Sequence, residues 1–191
     1  MFTDFFSWCT SLGEKIQDGS PNVPETADYY SGYFADSSVC DTVFWTGAII
    51  ATVIALLYYF GICNYVFKLA KRSIWAIVAV LVFGITYFVN IPQIVGHDAD
   101  NPDDATGIFA YAYVKESELL DGTEDDDARE EIQQTASDFR ELFLPKEDSI
   151  MMRESLPMEI ALANAGSAVV LFIILSFLFK RHTAYGSAIP L

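Results

Sequence analysis

The sequence predicts an all-α integral membrane protein with three transmembrane helices. The first observation is three apolar runs of 25, 22 and 22 residues, at positions 43–67, 74–95 and 158–179. A bilayer core about 30 Å thick needs roughly 20 helical residues to cross it, so each run is long enough. Backbone groups in hydrocarbon must bond within their own segment, which makes each crossing a helix. Three buried helices of a soluble protein are the disfavoured alternative.

The distribution of charge is the second observation, and it predicts the orientation. The connection at 68–73 and residues 180–182 carry Lys and Arg but no acid. Residues 1–42 hold seven acids and one Lys, and residues 97–157 hold eighteen acids and five Lys or Arg. Because Lys and Arg near span ends stay on the cytoplasmic side or its equivalent, the N-terminus is predicted outside and the C-terminus inside. The cell (inner) membrane is the favoured location, and an organellar or viral membrane stays open.

The net charge of −15 bears on the class of partner. Nucleic-acid binding needs a basic footprint, so we expect no nucleic-acid partner. An acidic outer surface attracts cations or a basic protein, or it simply keeps the protein soluble. We favour the last of these readings.

Five segments follow from this division. They are an outer N-terminal segment with an amphipathic helix (1–42), a hairpin of the first two crossings (43–96), a small acidic outer module (97–157), the third crossing (158–180) and an inner tail (181–191).

The N-terminal helix is predicted from apolar residues at helical spacing, and it should end before Asp18. These residues are Phe2, Phe5, Phe6, Cys9, Leu12 and Ile16. With Trp8 beside the apolar stripe, the helix either lies flat at the outer membrane interface or packs against the outer loop or another subunit. The two alternatives are equally weighted. The aromatic cluster that follows, Tyr29, Tyr30, Tyr33 and Phe34, is expected to be an interfacial anchor.

Small residues on the first and third crossings predict where these helices pack. They are Gly47, Ala51 and Ala55 on the first, and Ala161, Ala165 and Ala168 on the third. Small side chains let helix backbones approach closely in lipid, so we expect the two faces to touch near the outer leaflet. The alternative is that either face meets a helix of another protein. In the second crossing, Pro92 is expected to kink or end the helix.

The outer module is expected to contain some regular structure. Residues 108–114 are interpreted as a short strand or an extended segment. Thr123 is expected to cap a helix that runs to about Leu144, whose apolar face is Ile132, Ala136, Phe139 and Phe143. Ser155 is a plausible cap for the third crossing, with Pro157 tolerated in its first turn.

Polar residues inside the runs are the candidate intramembrane sites, since they are costly in a bilayer. Glu159 is interpreted as a wet carboxylate at a helix start, favoured by the helix dipole over an ion or proton site. Asn164 lies deeper and is expected to bond to a neighbouring helix rather than to a substrate. Asn64 and Asn90 lie near the span ends, where water is near.

Metal, cofactor and catalytic sites are not predicted. The two histidines, His97 and His182, lie on opposite sides of the membrane, which removes a bis-His haem site within one copy. His97 with Asp98 and Asp100 is interpreted as a surface loop rather than a weak cation site. Cys9 and Cys40 share the outer side, where an oxidising compartment would permit a disulfide.

The function that follows from these features is non-catalytic. We expect a membrane subunit that anchors, assembles or stabilises a larger membrane complex, with other membrane subunits and the lipid bilayer as partners. Homo- and hetero-oligomers both remain open. The alternatives are a channel or transporter component, and an accessory subunit of a membrane redox enzyme whose cofactor a partner supplies.

Overall fold

The computed structural model describes residues 2–21, 23–36, 38–63, 72–99, 101–144 and 152–182. These residues form helices and turns, with no β-strand among them. The α-helices in the described part of the chain are α1 (Thr3–Cys9), α2 (Leu12–Asp18), α3 (Ala27–Tyr30), α4 (Val39–Leu56), α5 (Arg72–Val95), α6 (Gly107–Asp121), α7 (Asp126–Phe143) and α8 (Leu156–Lys180). Two π-helical segments, Ser31–Asp36 and Leu57–Ile62, extend α3 and α4.

Three helical segments are long and apolar enough to cross a membrane. They cover Val39–Ile62, Ser73–Val95 and Leu156–Lys180, with 24, 23 and 25 residues. The all-helical class and the three candidate spans are therefore confirmed. The first span begins four residues earlier than the apolar run at 43–67. The predicted end of that run, the basic residues at 68–71, Asn64 and the tail from residue 183 lie outside the described residues.

The chain divides into two compact units. One, which we call the polar unit, contains Met1–Thr42 and Ile91–Ile160. The other, the apolar unit, contains Val43–Asn90 and Ala161–Leu191. The polar unit therefore holds the first turn of α4, the last turn of α5 and the first turn of α8, together with all of α1, α2, α3, α6 and α7.

Aromatic side chains build the core of the polar unit. Tyr29, Tyr30 and Tyr33 are at most 4% exposed, and the α7 rings of Phe139 and Phe143 pack against Tyr29 and Tyr30. The expectation that this cluster anchors the chain at a membrane interface is therefore wrong. The Tyr30 and Tyr33 hydroxyl groups can be buried because each donates a hydrogen bond inside the protein. Tyr30 donates to a carboxylate, and Tyr33 donates to a backbone carbonyl.

The N-terminal helix is two helices, not one. α1 ends at Cys9, and Thr10 adopts extended backbone angles (φ −137°, ψ 175°) before α2 begins at Leu12. Phe6 and Leu12 are fully buried within the polar unit. The helical spacing predicted the burial of these two residues, but Cys9 of the predicted apolar face is exposed and its other members, Phe2, Phe5 and Ile16, are only partly buried. At the break between the two helices, the backbone N–H of Ser11 donates to a distant carboxylate.

The segment interpreted as a strand at 108–114 is the first half of a helix. α6 runs from Gly107 to Asp121 and buries Ile108, Phe109 and Ala112. Its two Ala, two Leu, two Glu and one Lys favour helix, and packing against α7 overrides the short apolar run. Side chains at 108, 109 and 112 share one face only in a helix.

The predicted helix at 123–144 is confirmed as α7, with a different cap. Ala136, Phe139 and Phe143 are buried as expected. The residue at the N-cap is Asp125, whose carboxylate accepts a 3.1 Å hydrogen bond from the backbone N–H of Asp127. Thr123 instead donates from its hydroxyl to the carbonyl of Leu119, at the end of α6.

The second span continues past its proline. α5 contains Pro92 and ends one turn later at Val95, so Pro92 does not terminate it. Gly96 follows with φ 75°, and its N–H donates to the carbonyl of Pro92 at 2.9 Å. A left-handed glycine after the last helical residue is a common way to end a helix, and a Cβ here would lie 2.1 Å from the Thr106 carbonyl oxygen. In the third span, Pro157 lies in the first turn of the helix, as expected.

Candidate functional site

A close contact between two spans in the apolar unit involves Gly47 of α4 and Asn164 of α8. Asn164 is 1% exposed, and its Nδ2 donates to the backbone carbonyl of Val43 at 2.6 Å. A Cβ atom on Gly47 would lie 2.6 Å from that same nitrogen. Only glycine leaves room for the amide at this position, so the bond requires the absence of a side chain at 47.

The other small residues singled out in the sequence are also buried. Ala51, Ala55, Ala161, Ala165 and Ala168 are each at most 2% exposed. Ala51, Ala55 and Ala168 belong to one apolar cluster, which also contains residues of α5. The cluster is completed by Tyr58, Tyr59, Cys63, Val78, Val82 and Phe172. The structure therefore brings Ala51 and Ala55 of the first span and Ala168 of the third into one packed core.

A second polar contact joins α5 and α8 in the apolar unit. The indole Nε1 of Trp75 donates to the hydroxyl oxygen of Ser176 at 3.2 Å. That hydroxyl in turn donates to the carbonyl of Phe172 on its own helix at 2.7 Å. Neutral hydrogen bonds of this kind contribute about 0.6 kcal/mol on average in a membrane protein, and up to about 1.7.

Thr86 and Asn90 are buried polar side chains on one face of α5. Both are fully buried, and neither the Thr86 hydroxyl nor either polar atom of the Asn90 amide has a hydrogen-bond partner within the described residues. They lie one turn apart on one helix face. Asn90 was expected near water at a span end, and its complete burial corrects that expectation. Buried polar groups are costly when unpaired, so this face of α5 is a candidate intramembrane site.

Glu154 is the most connected polar side chain of the polar unit. Its carboxylate accepts from Lys15 Nζ at 2.9 Å and from the hydroxyl of Tyr30 at 2.8 Å. It also accepts from the N–H of Leu156 at 3.2 Å, and its own N–H donates to the carbonyl of Leu142. The Lys15 and Glu154 side chains are 13% and 4% exposed. One carboxylate therefore ties α2 and α3 to the start of α8.

Sequence reasoning did not identify Glu154. The two members of its ion pair are separated by 139 positions, and nothing local distinguishes Glu154 from the other acids of the acidic segment. Burial raises the pKa of the Tyr30 phenol, and the neighbouring Glu154 carboxylate raises it further. Tyr30 is therefore a neutral donor to the carboxylate at physiological pH.

Glu159, which the sequence did single out, makes a second carboxylate connection. One carboxylate oxygen accepts from the N–H of Ser11 at 2.8 Å, and the other accepts from the hydroxyl of Ser155 at 2.7 Å. Glu159 is half-buried in the first turn of α8. Its position at a helix start agrees with the expectation, but its partners include the α1–α2 break rather than water alone.

The cysteines are free thiols in the structure. Cys9 is exposed and its Sγ donates to the carbonyl of Phe5 at 3.0 Å, whereas Cys40 is buried. The disulfide that the sequence permitted between them is therefore not formed here. Partial burial raises the pKa of the Cys9 thiol, so it has no sign of an activated nucleophile.

A cleft of about 460 Å³ opens beside the buried ion pair in the polar unit. Its charged lining is mixed: Lys15 and Arg153 are basic, while Asp138, Glu141 and Glu154 are acidic. These charges largely pair with one another, since Arg153 contacts Glu141 at 2.9 Å. The described residues contain no group of three or more His, Cys, Asp or Glu placed to hold a metal ion. Asp100, a member of the His97 loop, lies outside the described residues.

Comparison of the chain with protein-family models, curated proteins and solved structures found no match. The functional reading therefore depends on the contacts described above.

Proposed function

We propose that the protein is a non-catalytic membrane subunit that anchors, assembles or stabilises a larger membrane complex. The proposal is supported by the hydrogen bonds of the polar side chains, which connect helices of this chain to one another. In the spans, Asn164 and Trp75 bond to neighbouring helices of the same chain. In the polar unit, Glu154 and Glu159 bond to distant segments of the same unit. These are the contacts of a scaffold that holds a surface in a fixed shape.

The surface that such a scaffold would present lies on α6 and α7. Exposed acids concentrate near the turn between these helices and along α7. They are Asp121, Glu124, Asp125, Asp126, Asp127, Glu130 and Glu131. The one basic residue in this stretch, Arg129, donates to the carbonyls of Leu120 and Thr123 and so fastens the turn. A basic face of another membrane subunit has the complementary charge.

Purification in a mild detergent, followed by mass spectrometry of intact complexes, tests this proposal. We expect the native chain to be recovered with another membrane protein in fixed ratio. Charge reversal of two exposed acids, Glu130→Lys with Glu131→Lys, should reduce that recovery. Gln133→Lys is the matched control because it adds a charge at an exposed position of the same helix without removing an acid. Recovery of the native chain only as a lone monomer would count against the proposal.

Orientation is part of the same proposal: the N-terminus lies outside and the C-terminus inside, with residues 97–157 as the acidic outer module. Cys9 is the natural probe because its thiol is exposed, whereas Cys40 and Cys63 are buried. A membrane-impermeant maleimide should label Cys9 in sealed cells or vesicles of known sidedness. Leu191→Cys in a Cys9→Ser chain should react only after the membrane is opened. Labelling of both positions from one face would contradict three crossings.

A channel or transporter component is the second candidate, and one observation favours it. Thr86 and Asn90 are buried polar groups with no partner in the described part of the chain, and an intramembrane polar group is a functional candidate by default. Ion or solute flux through reconstituted protein separates the candidates. Selective flux that Asn90→Leu or Asn164→Leu abolishes would favour transport. The absence of flux at any ion gradient, together with stoichiometric recovery of a partner, favours the assembly subunit.

A further inference from the structure

Trp8 is exposed more fully than any other large apolar side chain in the described residues. It is 85% exposed, compared with 73% for the next, Phe88 in the second span. On the same helix Phe6 is fully buried, and residues two apart on a helix point in nearly opposite directions. Phe6 of α1 therefore faces the interior of the polar unit, while Trp8 points away from it. Within the described part of the chain, no protein contact explains a tryptophan at this position.

The position of α1 is fixed at both ends by the first turns of two candidate spans. Before the helix, the N–H of Phe2 donates to a carboxylate oxygen of Asp41 at 3.1 Å, and Asp41 lies in the first turn of α4. After the helix, the N–H of Ser11 donates to Glu159 in the first turn of α8. All these groups belong to the polar unit. A helix of seven residues is only about 10 Å long, so all of α1 stays close to the level where these spans begin.

We propose that Trp8 inserts into the lipid headgroup region and makes α1 an interfacial anchor of this protein. The start of a span marks the boundary between hydrocarbon and water, and α1 is tied to that boundary at two places. Tryptophan favours this zone because its ring is apolar and its indole N–H stays hydrogen-bonded. The neighbouring Asp4 is exposed and acidic, so a zwitterionic lipid surface suffices and anionic lipid adds no attraction. The anchor depends on the three spans but not on the proposed partner.

The depth of Trp8 can be measured by fluorescence quenching in phosphatidylcholine vesicles. Trp45→Phe with Trp75→Phe leaves Trp8 as the sole tryptophan of the full chain. Two reference chains carry a single tryptophan elsewhere. Val80→Trp marks the interior of the second span, where Val80 is 69% exposed, and Gln133→Trp marks an exposed site on α7. The quenchers are aqueous iodide and lipids that carry a spin label near the headgroup or near the chain end.

We expect Trp8 to be quenched more strongly by the shallow lipid label than by the deep one, with the opposite order for Val80→Trp. Iodide quenching of Trp8 should be clearly weaker than that of Gln133→Trp. Iodide quenching equal to that of Gln133→Trp, without lipid quenching, would overturn the anchor. Protection from both quenchers would overturn it as well, because it would place Trp8 against protein, such as a second copy of the chain.

A second measurement avoids the loss of the Trp75 hydrogen bond to Ser176. The native chain is compared with Trp8→Phe, and both retain Trp45 and Trp75. The difference in emission between the two proteins reports Trp8 alone. A difference spectrum that the shallow lipid label quenches supports the anchor, and one that responds only to iodide contradicts it.

Discussion

The polar unit and the apolar unit connect their helices with different chemistry. In the polar unit, carboxylates make the connections: the buried Glu154 bonds to Lys15 and Tyr30, and the half-buried Glu159 bonds to Ser11. In the apolar unit, small residues let helices approach, and neutral groups such as Asn164 make the hydrogen bonds. Outside the hydrocarbon, a carboxylate can accept hydrogen bonds from several donors. Inside the hydrocarbon a charged group is costly, so helices are held together by close packing and neutral hydrogen bonds.

Removal of the Glu154 charge should give the largest effect. Glu154→Gln leaves Lys15 without its anionic partner in a site where the lysine side chain is only 13% exposed. Breaking one partner of a buried ion pair typically costs about 3–5 kcal/mol. We expect a loss near the lower end, about 3 kcal/mol, because the lysine keeps some access to water. Denaturant titration of the full chain in detergent measures the free energy of unfolding.

The exposed ion pair of the same unit provides the control. Arg153 and Glu141 are 47% and 55% exposed, so Glu141→Gln should cost less than about 1 kcal/mol. The double variant Lys15→Met with Glu154→Gln should recover part of the loss, since no unpaired charge remains buried. Equal effects of Glu154→Gln and Glu141→Gln would remove the distinction between buried and exposed carboxylates.

A methyl group at Gly47 should give the next largest effect. In Gly47→Ala the new Cβ would lie 2.6 Å from Asn164 Nδ2, so either the amide or the helix must move. Overpacking of a tight site typically costs about 1–3 kcal/mol. Gly166→Ala is the matched control on α8, because a Cβ there meets nothing within 4 Å. Gly166→Ala should be neutral or slightly stabilising, and a comparable loss in both variants would argue against a specific contact at Gly47.

Loss of the Asn164 hydrogen bond should have a smaller effect. Asn164→Ala removes the bond to the Val43 carbonyl but leaves the small-residue packing in place. We expect a loss of about 0.6–1.7 kcal/mol, the range of hydrogen bonds between membrane helices. Combining Asn164→Ala with Gly47→Ala tests the pair directly. The cost of Gly47→Ala should fall once the amide is absent, and strict additivity would contradict direct contact.

The alkaline limit of stability should be set by the polar unit. Burial, with the nearby Glu116 charge, raises the pKa of Tyr29 from 10.0 to about 12, although Arg140 opposes the shift. The folded state holds this proton more tightly than the unfolded state. Its stabilising effect is therefore complete below pH 10 and is lost as the pH rises towards 12.

Tyr29→Phe tests this link between the Tyr29 proton and stability. Of the variants proposed here, it should change the free energy of unfolding least at neutral pH. The Tyr29 hydroxyl is buried and has no hydrogen-bond partner within the described residues, so its removal should be neutral or slightly stabilising there. Above pH 10, the free energy of unfolding of the variant should fall less steeply with pH than that of the native chain. Phenolate absorbance provides an independent titration. An unchanged alkaline slope would show that Tyr29 does not carry the linkage.

Periodicity made the helical parts of this protein predictable. The three spans follow from the length of their apolar runs, and the buried face of α7 follows from the spacing of Ala136, Phe139 and Phe143. The short run at 108–114 was ambiguous because a few apolar residues fit either a strand or a buried helix. The aromatic residues at 29–34 were ambiguous for a related reason, since tyrosine suits both a membrane interface and a core that supplies acceptors.

The sequence by itself determined which segments are apolar enough to cross a membrane and which small residues could line their contacts, because chain length and composition suffice for both. Only the tertiary structure decided that Lys15 donates to Glu154, that the N–H of Ser11 at the α1–α2 break donates to Glu159, and that Asn164 lies against Gly47. Each of these contacts joins residues more than 100 positions apart. Nothing in the local sequence encodes such a pairing, since it depends on where the folded helices place two distant groups.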